Sequence, residues 1–191
     1  MPTLNTISPL PLDLERLSDG YPALTPAAGG RLAEAASVAL EIHKHLNPVS
    51  LTVRGVYALE CALEFLHISE QLRRTYGDPD ENTEEGACGI ALLLLMNLTE
   101  HTVVRRSRKG TGVDYFLGDA NDFLFQNTAR LEVSGIGQGT EQEIKKRVKQ
   151  KKEQTEQSDH LTIPAYVVIV EFSQPIMEVI FRDATRSHVT N

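Results

Sequence analysis

Asp114 and Glu132 are the two acids whose surroundings best suit chemistry. The first lies in GTGVDYFLG and the second in ARLEVSG, and both segments carry apolar residues in the manner of strands. On Gly112 to Leu117, Asp114 and Phe116 share one face; on Ala129 to Ser134, Arg130, Glu132 and Ser134 share one. Side by side, two such strands bring the carboxylates together. A carboxylate pair supplies the oxygen ligands that magnesium or manganese takes, completed by water and substrate phosphate. An ion held that way activates water and offsets charge on phosphoryl oxygens, the chemistry of phosphodiester hydrolysis.

The elements that must position these acids follow from periodicity. A helix is predicted from Asn82, with Glu85 three residues on as its capping partner, through Leu98. It is apolar nearly all round at its end, as a helix buried against a sheet is. Strands are predicted at Thr102 to Ser107, Gly112 to Leu117 and Ala129 to Ser134, with Gly135, Gly137 and Gly139 turning out of the third. A helix from Thr140 to Gln157 is polar except for Ile144 and Val148, and strands at Ala165 to Phe172 and Ile176 to Arg182 follow. Three consecutive strands favour a meander, and the later helix can cross over to set a strand beside it.

The first 81 residues are less regular. Pro2, Pro9, Pro11, Pro22 and Pro26 mark residues 1–26 as an irregular arm. A helix then runs through RLAEAASVALEIHKHL and ends near Asn47-Pro48. Beyond it, Tyr57, Leu59, Cys61, Leu63 and Phe65 alternate with polar residues, which favours a hairpin turning at Arg54-Gly55. A helix over Val56 to Arg74 is the alternative, because Ala, Leu and Glu are good helix formers. A short helix is expected across Ser69 to Tyr76. The organisation is thus an arm (1–26), a helix and hairpin extension (27–81), a core (82–182) and a frayed tail (183–191). The fold class is α/β (α+β), a central mixed sheet flanked by helices.

With its motifs in that order, the chain resembles the PD-(D/E)XK, or restriction-endonuclease-like, nuclease superfamily. That core is a helix, a three-stranded meander, a helix and a further strand, with an acid on the second strand and E-x-K on the third. The resemblance covers roughly residues 82–182 and implies a magnesium- or manganese-dependent nuclease. In it Asp114 and Glu132 would be metal ligands, and Glu84 or Glu85 the helix acid, with Glu85 orienting water. The pattern expects lysine where this chain has Ser134. Some relatives carry that lysine on the following helix, where Lys145, Lys146, Arg147, Lys149, Lys151 and Lys152 crowd together. Lys145 and Lys149, four apart on one face, are the candidates for the migrated lysine. Arg108, Lys109, Lys146 and Lys152 are candidates for phosphate contacts.

Composition bounds these readings. The 191 residues, 41% hydrophobic and 24% charged, suffice for a sizeable core. A net charge of -7 excludes a surface basic throughout, so nucleic-acid contact must be local. Cys61 and Cys88, the only cysteines, cannot form a four-thiolate zinc site, and the six histidines are scattered. The longest apolar run, Ile90 to Met96, is too short for a bilayer, and the N-terminus lacks a secretory pattern; a cytoplasmic, membrane-free protein is expected. Expected partners are nucleic acid, DNA first, and a homodimer or a defence or repair complex. Two alternatives stand: a nuclease fold acting only as a binding subunit, and an oligomeric module whose basic helix docks an acidic protein.

Overall fold

Alternating β-branched and aromatic residues build the sheet. The computed structural model describes residues 8–183. Its strands are β1 (Leu10–Asp13), β2 (Val49–Gly55), β3 (Leu59–Glu64), β4 (His101–Arg106), β5 (Tyr115–Asp119), β6 (Ala129–Ile136), β7 (Ala165–Glu171) and β8 (Ile176–Arg182). The helices are α1 (Pro26–Ile42), α2 (Glu70–Thr75), α3 (Pro79–Leu98) and α4 (Glu141–Thr155), with 3-10 segments at Leu14–Asp19 and Glu156–Leu161. All eight strands form one mixed sheet in the order β1-β3-β2-β8-β7-β6-β5-β4. The protein is therefore α/β, with helices on both faces of a central mixed sheet.

The two faces are covered differently. α1 and α3 pack over Leu131, Val133, Val168, Val170 and Met177 in the larger core. Every residue from Gly86 to Leu95 of α3 is buried, which accounts for its apolar character all round: it lies between α1 and the sheet. On the opposite face α4 sets Ile144 and Val148 against Val167 and Ile169. β6 and β7 run parallel, and α4 is the crossover between them.

The hairpin reading of the N-terminal third agrees with the structure, β2 pairing antiparallel with β3 from Val49↔Leu63 to Val53↔Leu59. The hairpin is also part of the main sheet, since β2 joins β8 in parallel. The arm differs from expectation. Residues 10–13 form β1, parallel to β3, and Leu14–Asp19 turns with Leu14 and Leu17 buried. Proline argues against a central strand but not against an edge one, and β1 is an edge. Residues 1–7 of the arm and 184–191 of the expected tail lie outside the described residues.

Two boundaries near the candidate acids also move. α3 starts at Pro79, not Asn82: Asp78 caps it by accepting from Asp80 N and Glu81 N, and proline suits a first-turn position that needs no donor. Asn82 is instead buried and donates to Tyr76 O at 2.8 Å. β5 starts at Tyr115, not Gly112, because the chain is still turning through Gly110 and Gly112 at φ +90° and +77°. β4 pairs with β5 through a bulge, Val104 being the extra residue between Val103↔Leu117 and Arg105↔Phe116.

α3 approaches β6 closely at Gly135, where an added Cβ would lie 2.2 Å from Thr83 O. The helix turn bearing Glu84 is held beside the sheet by that contact. Gly135→Ala is expected to destabilise the protein by about 1–3 kcal/mol through overpacking, read as a lower urea midpoint at unchanged m-value. A midpoint equal to wild type would refute the close approach.

Candidate functional site

The β5–β6 ladder ends at Tyr115↔Leu131, and Asp114 lies one residue beyond it. Asp114 still pairs there, its N–H donating to Leu131 O at 2.8 Å. Its carboxylate Oδ2 accepts from Val133 N at 2.9 Å, which fixes the side chain against β6. Asp114 lines a cleft with Val133 and with Glu84 and Cys88 of α3, whereas Glu132 meets Lys151 and Gln154 of α4.

Glu132 is buried, its side chain only 2% exposed. An unpaired carboxylate there would be costly. Lys151 Nζ lies 2.6 Å from its Oε1, and Gln154 Nε2 donates to the same oxygen at 2.8 Å. Lys151 also donates to Gln154 Oε1 at 3.2 Å, so the three side chains form one network. Burial, and secondly the charge of Asp114, push the Glu132 carboxyl above the usual range; Lys151 and Gln154 pull against them.

The lysine over the acids is therefore Lys151, not Lys145 or Lys149. Those two point outward, 75% and 82% exposed, and pair along the helix with Glu141 at 3.8 Å and Glu153 at 4.0 Å. Helical phase explains the choice. Ile144, Val148 and Thr155 face the sheet, and Lys151 falls on the same side; Lys145 and Lys149 each follow an inward residue by about 100°. Arg147, one turn before Lys151, donates to Ser134 Oγ at 2.5 Å and lies 3.9 Å from a Glu84 oxygen. A guanidinium thus reaches the residue that stands in the expected lysine's place. Arg147, Lys151 and Gln154 could have been singled out in the sequence by measuring every α4 residue against the Ile144–Val148 stripe.

The two helix acids part company. Glu84 reaches toward β6, with Oε1 3.5 Å from Ser134 Oγ and Oε2 3.5 Å from Gly135 N, the outer limit of a hydrogen bond. Glu85 is held by Arg31 of α1, whose Nε lies 2.7 Å from its Oε2. Both still line a cleft of about 130 Å³ with Cys88, Arg106, Asp114 and Val133. Burial, then the charge of Asp114, push the Cys88 thiol up, so it stays protonated and is no nucleophile. Of the phosphate candidates, Arg108 lines a larger cavity of about 440 Å³, while Lys109, Lys146 and Lys152 are exposed.

The donors suit a hard cation to this extent: Glu132 on β6 and Asp114, just before β5, offer carboxylate oxygens, and their mutual repulsion is what such an ion relieves. Among the described residues, no three or more His, Cys, Asp or Glu side chains gather into a metal-holding group. Magnesium needs no more than one or two protein carboxylates. No helix among those residues is long and apolar enough to cross a membrane. Comparison with known proteins gives no match to this chain, whether among family models, characterised proteins or solved structures.

Proposed function

We propose that the protein is a divergent nuclease of the PD-(D/E)XK kind, hydrolysing phosphodiester bonds in nucleic acid, DNA first, in a defence or repair setting. The observation that carries this reading is Lys151, brought from α4 onto Glu132, whose carboxyl feels the charge of Asp114. The order α3, β4–β5–β6, α4, β7 agrees with the family's helix, meander, helix and strand.

Asp114 and Glu132 would hold magnesium or manganese; when bound, the ion supplies a more acidic water and offsets charge on the phosphate. The chain's own residues do the rest. Lys151 has three donors, of which Glu132 and Gln154 take two, leaving one for a phosphoryl oxygen. Gln154 holds the ammonium and the carboxylate in register. Arg147 keeps a second positive charge at Ser134. Glu84, exposed above Ser134, is better set than Glu85 to orient water, since Glu85 is engaged by Arg31.

Titration calorimetry with manganese tests the site. Wild type is expected to bind saturably, and Glu132→Gln and Asp114→Asn each to weaken binding by about tenfold or more. The same variants should lose cleavage of end-labelled DNA. Saturable binding that ignores both substitutions would sink the assignment. One observation favours the second reading, a nuclease-fold binding subunit: Lys151 already neutralises Glu132 without an ion. No manganese binding, with nucleic acid still bound, would decide for it.

A further inference from the structure

A cavity of about 440 Å³ lies between the end of β4 with the segment after it and the 3-10 segment Glu156–Leu161. Its volume falls within the usual range of small-ligand sites. Arg105, Arg106, Arg108 and His160 line it together with Phe116 and Leu161, and among the described residues no carboxylate does. Asp159, the acid among these neighbours, is bound by Arg130 and Arg182. Arg130 is fully buried and donates to Ser158 Oγ, itself part of the wall. In a chain of net charge -7 this concentrates positive potential in one concave place.

The lining is also built for stacking. The Arg105 guanidinium lies 4.3 Å from the centroid of the Phe116 ring, so a planar cation backed by an aromatic ring borders the cavity. Such a plane takes an unstacked base, while neighbouring arginines take phosphate. Arg106 lines this cavity and also the cleft that holds Asp114 and Glu84.

We infer that this cavity holds one unpaired nucleotide of a nucleic-acid strand, its base on the Arg105–Phe116 stack and its phosphate at Arg108. Resting on the nuclease reading, it makes the substrate single-stranded or frayed where it enters the site, because a paired base cannot reach a stacking plane inside a cavity.

The test is fluorescence anisotropy on the full chain carrying Glu132→Gln, in EDTA, so that cleavage plays no part. The ligands are a labelled single strand, the same sequence as a blunt duplex, and deoxyadenosine monophosphate as competitor. The single strand should bind at least about tenfold more tightly than the duplex. Arg105→Ala and Arg105→Lys should each weaken it by about fivefold or more, since lysine keeps the charge but not the plane. Arg108→Ala should reduce the salt-dependence slope by about 0.7. Equal binding of strand and duplex would overturn the inference, as would full affinity in Arg105→Lys. Displacement by the mononucleotide at the strand's own affinity would overturn it too, assigning the cavity to free nucleotides. If the strand binds as expected but wild type never cleaves with manganese, the nucleotide site stands and the catalytic reading falls.

Discussion

Lys151→Ala is expected to lower the cleavage rate by about 10²–10³, the usual loss when one preorganised donor to a transition-state oxygen is removed. The ammonium is mostly buried, at 18% exposure, and lies 2.6 Å from Glu132, so no solvent cation reproduces its position. Lys145→Ala and Lys149→Ala should stay within about twofold of wild type, because both side chains point to solvent and hold only helix-surface pairs. Manganese binding separates the roles. Lys151 competes for Glu132 Oε1, so its removal should leave affinity unchanged or raise it, whereas Glu132→Gln should lower it. Single-turnover cleavage together with calorimetry reads both quantities. If Lys151→Ala cleaves like wild type, or Lys149→Ala is equally impaired, the migrated lysine has been misidentified.

Asp159→Ala is expected to cost about 3–5 kcal/mol of stability, the loss typical when one partner of a buried ion pair is deleted. Asp159 accepts from Arg130 at 3.0 Å and from Arg182 at 2.6 Å, and so ties β6, the 3-10 segment after α4 and β8 together. Arg130 is wholly inaccessible, and its Nε has no acceptor among the described residues. Without the carboxylate two guanidinium groups face each other in a nearly dry setting. A fall in melting temperature of roughly 10 °C would accompany the loss. The pH dependence has a definite sign. The hydrogen bond from Arg182, and that from Arg130, hold the Asp159 carboxyl below its ordinary range. Its contribution is therefore complete above about pH 4 and lost as pH falls through the lower folded value. Urea denaturation should show a constant gap between wild type and variant from pH 7 to about pH 4, then a narrowing one. A gap that widens with acid would contradict the arrangement.

How much was legible in the sequence depended on whether a signal was periodic. The hairpin, β6 to β8 and α4 follow from apolar alternation or from a two-residue apolar stripe, and their bounds moved by a residue or two. Alternation also sets Asp114 and Glu132 on one face, but Asp114 lies before β5, just after the turn at Gly112, where a period of two no longer fixes side-chain direction. Lys151 was missed for a different reason. Lys145 and Lys149 are spaced to face each other, but a helix buries residues by their phase against its apolar stripe, and Ile144 and Val148 put both lysines outside. The choice between Glu84 and Glu85 rests on Arg31, 54 residues away in the chain, which no local pattern reveals. β1 was hidden by the prolines around it, which only an edge position tolerates.

The bulge at Val104 bears on how the molecule meets its own kind. β4 and β1 are the two ends of the eight-stranded sheet, where unpaired N–H and C=O groups would template another strand. β1 offers four residues and includes Pro11, which has no donor to give. β4 is kinked by its extra residue and ends in two exposed arginines, so two copies aligned there would repel as well as misfit. Among the described residues, neither end presents a flat ladder for fibrous growth.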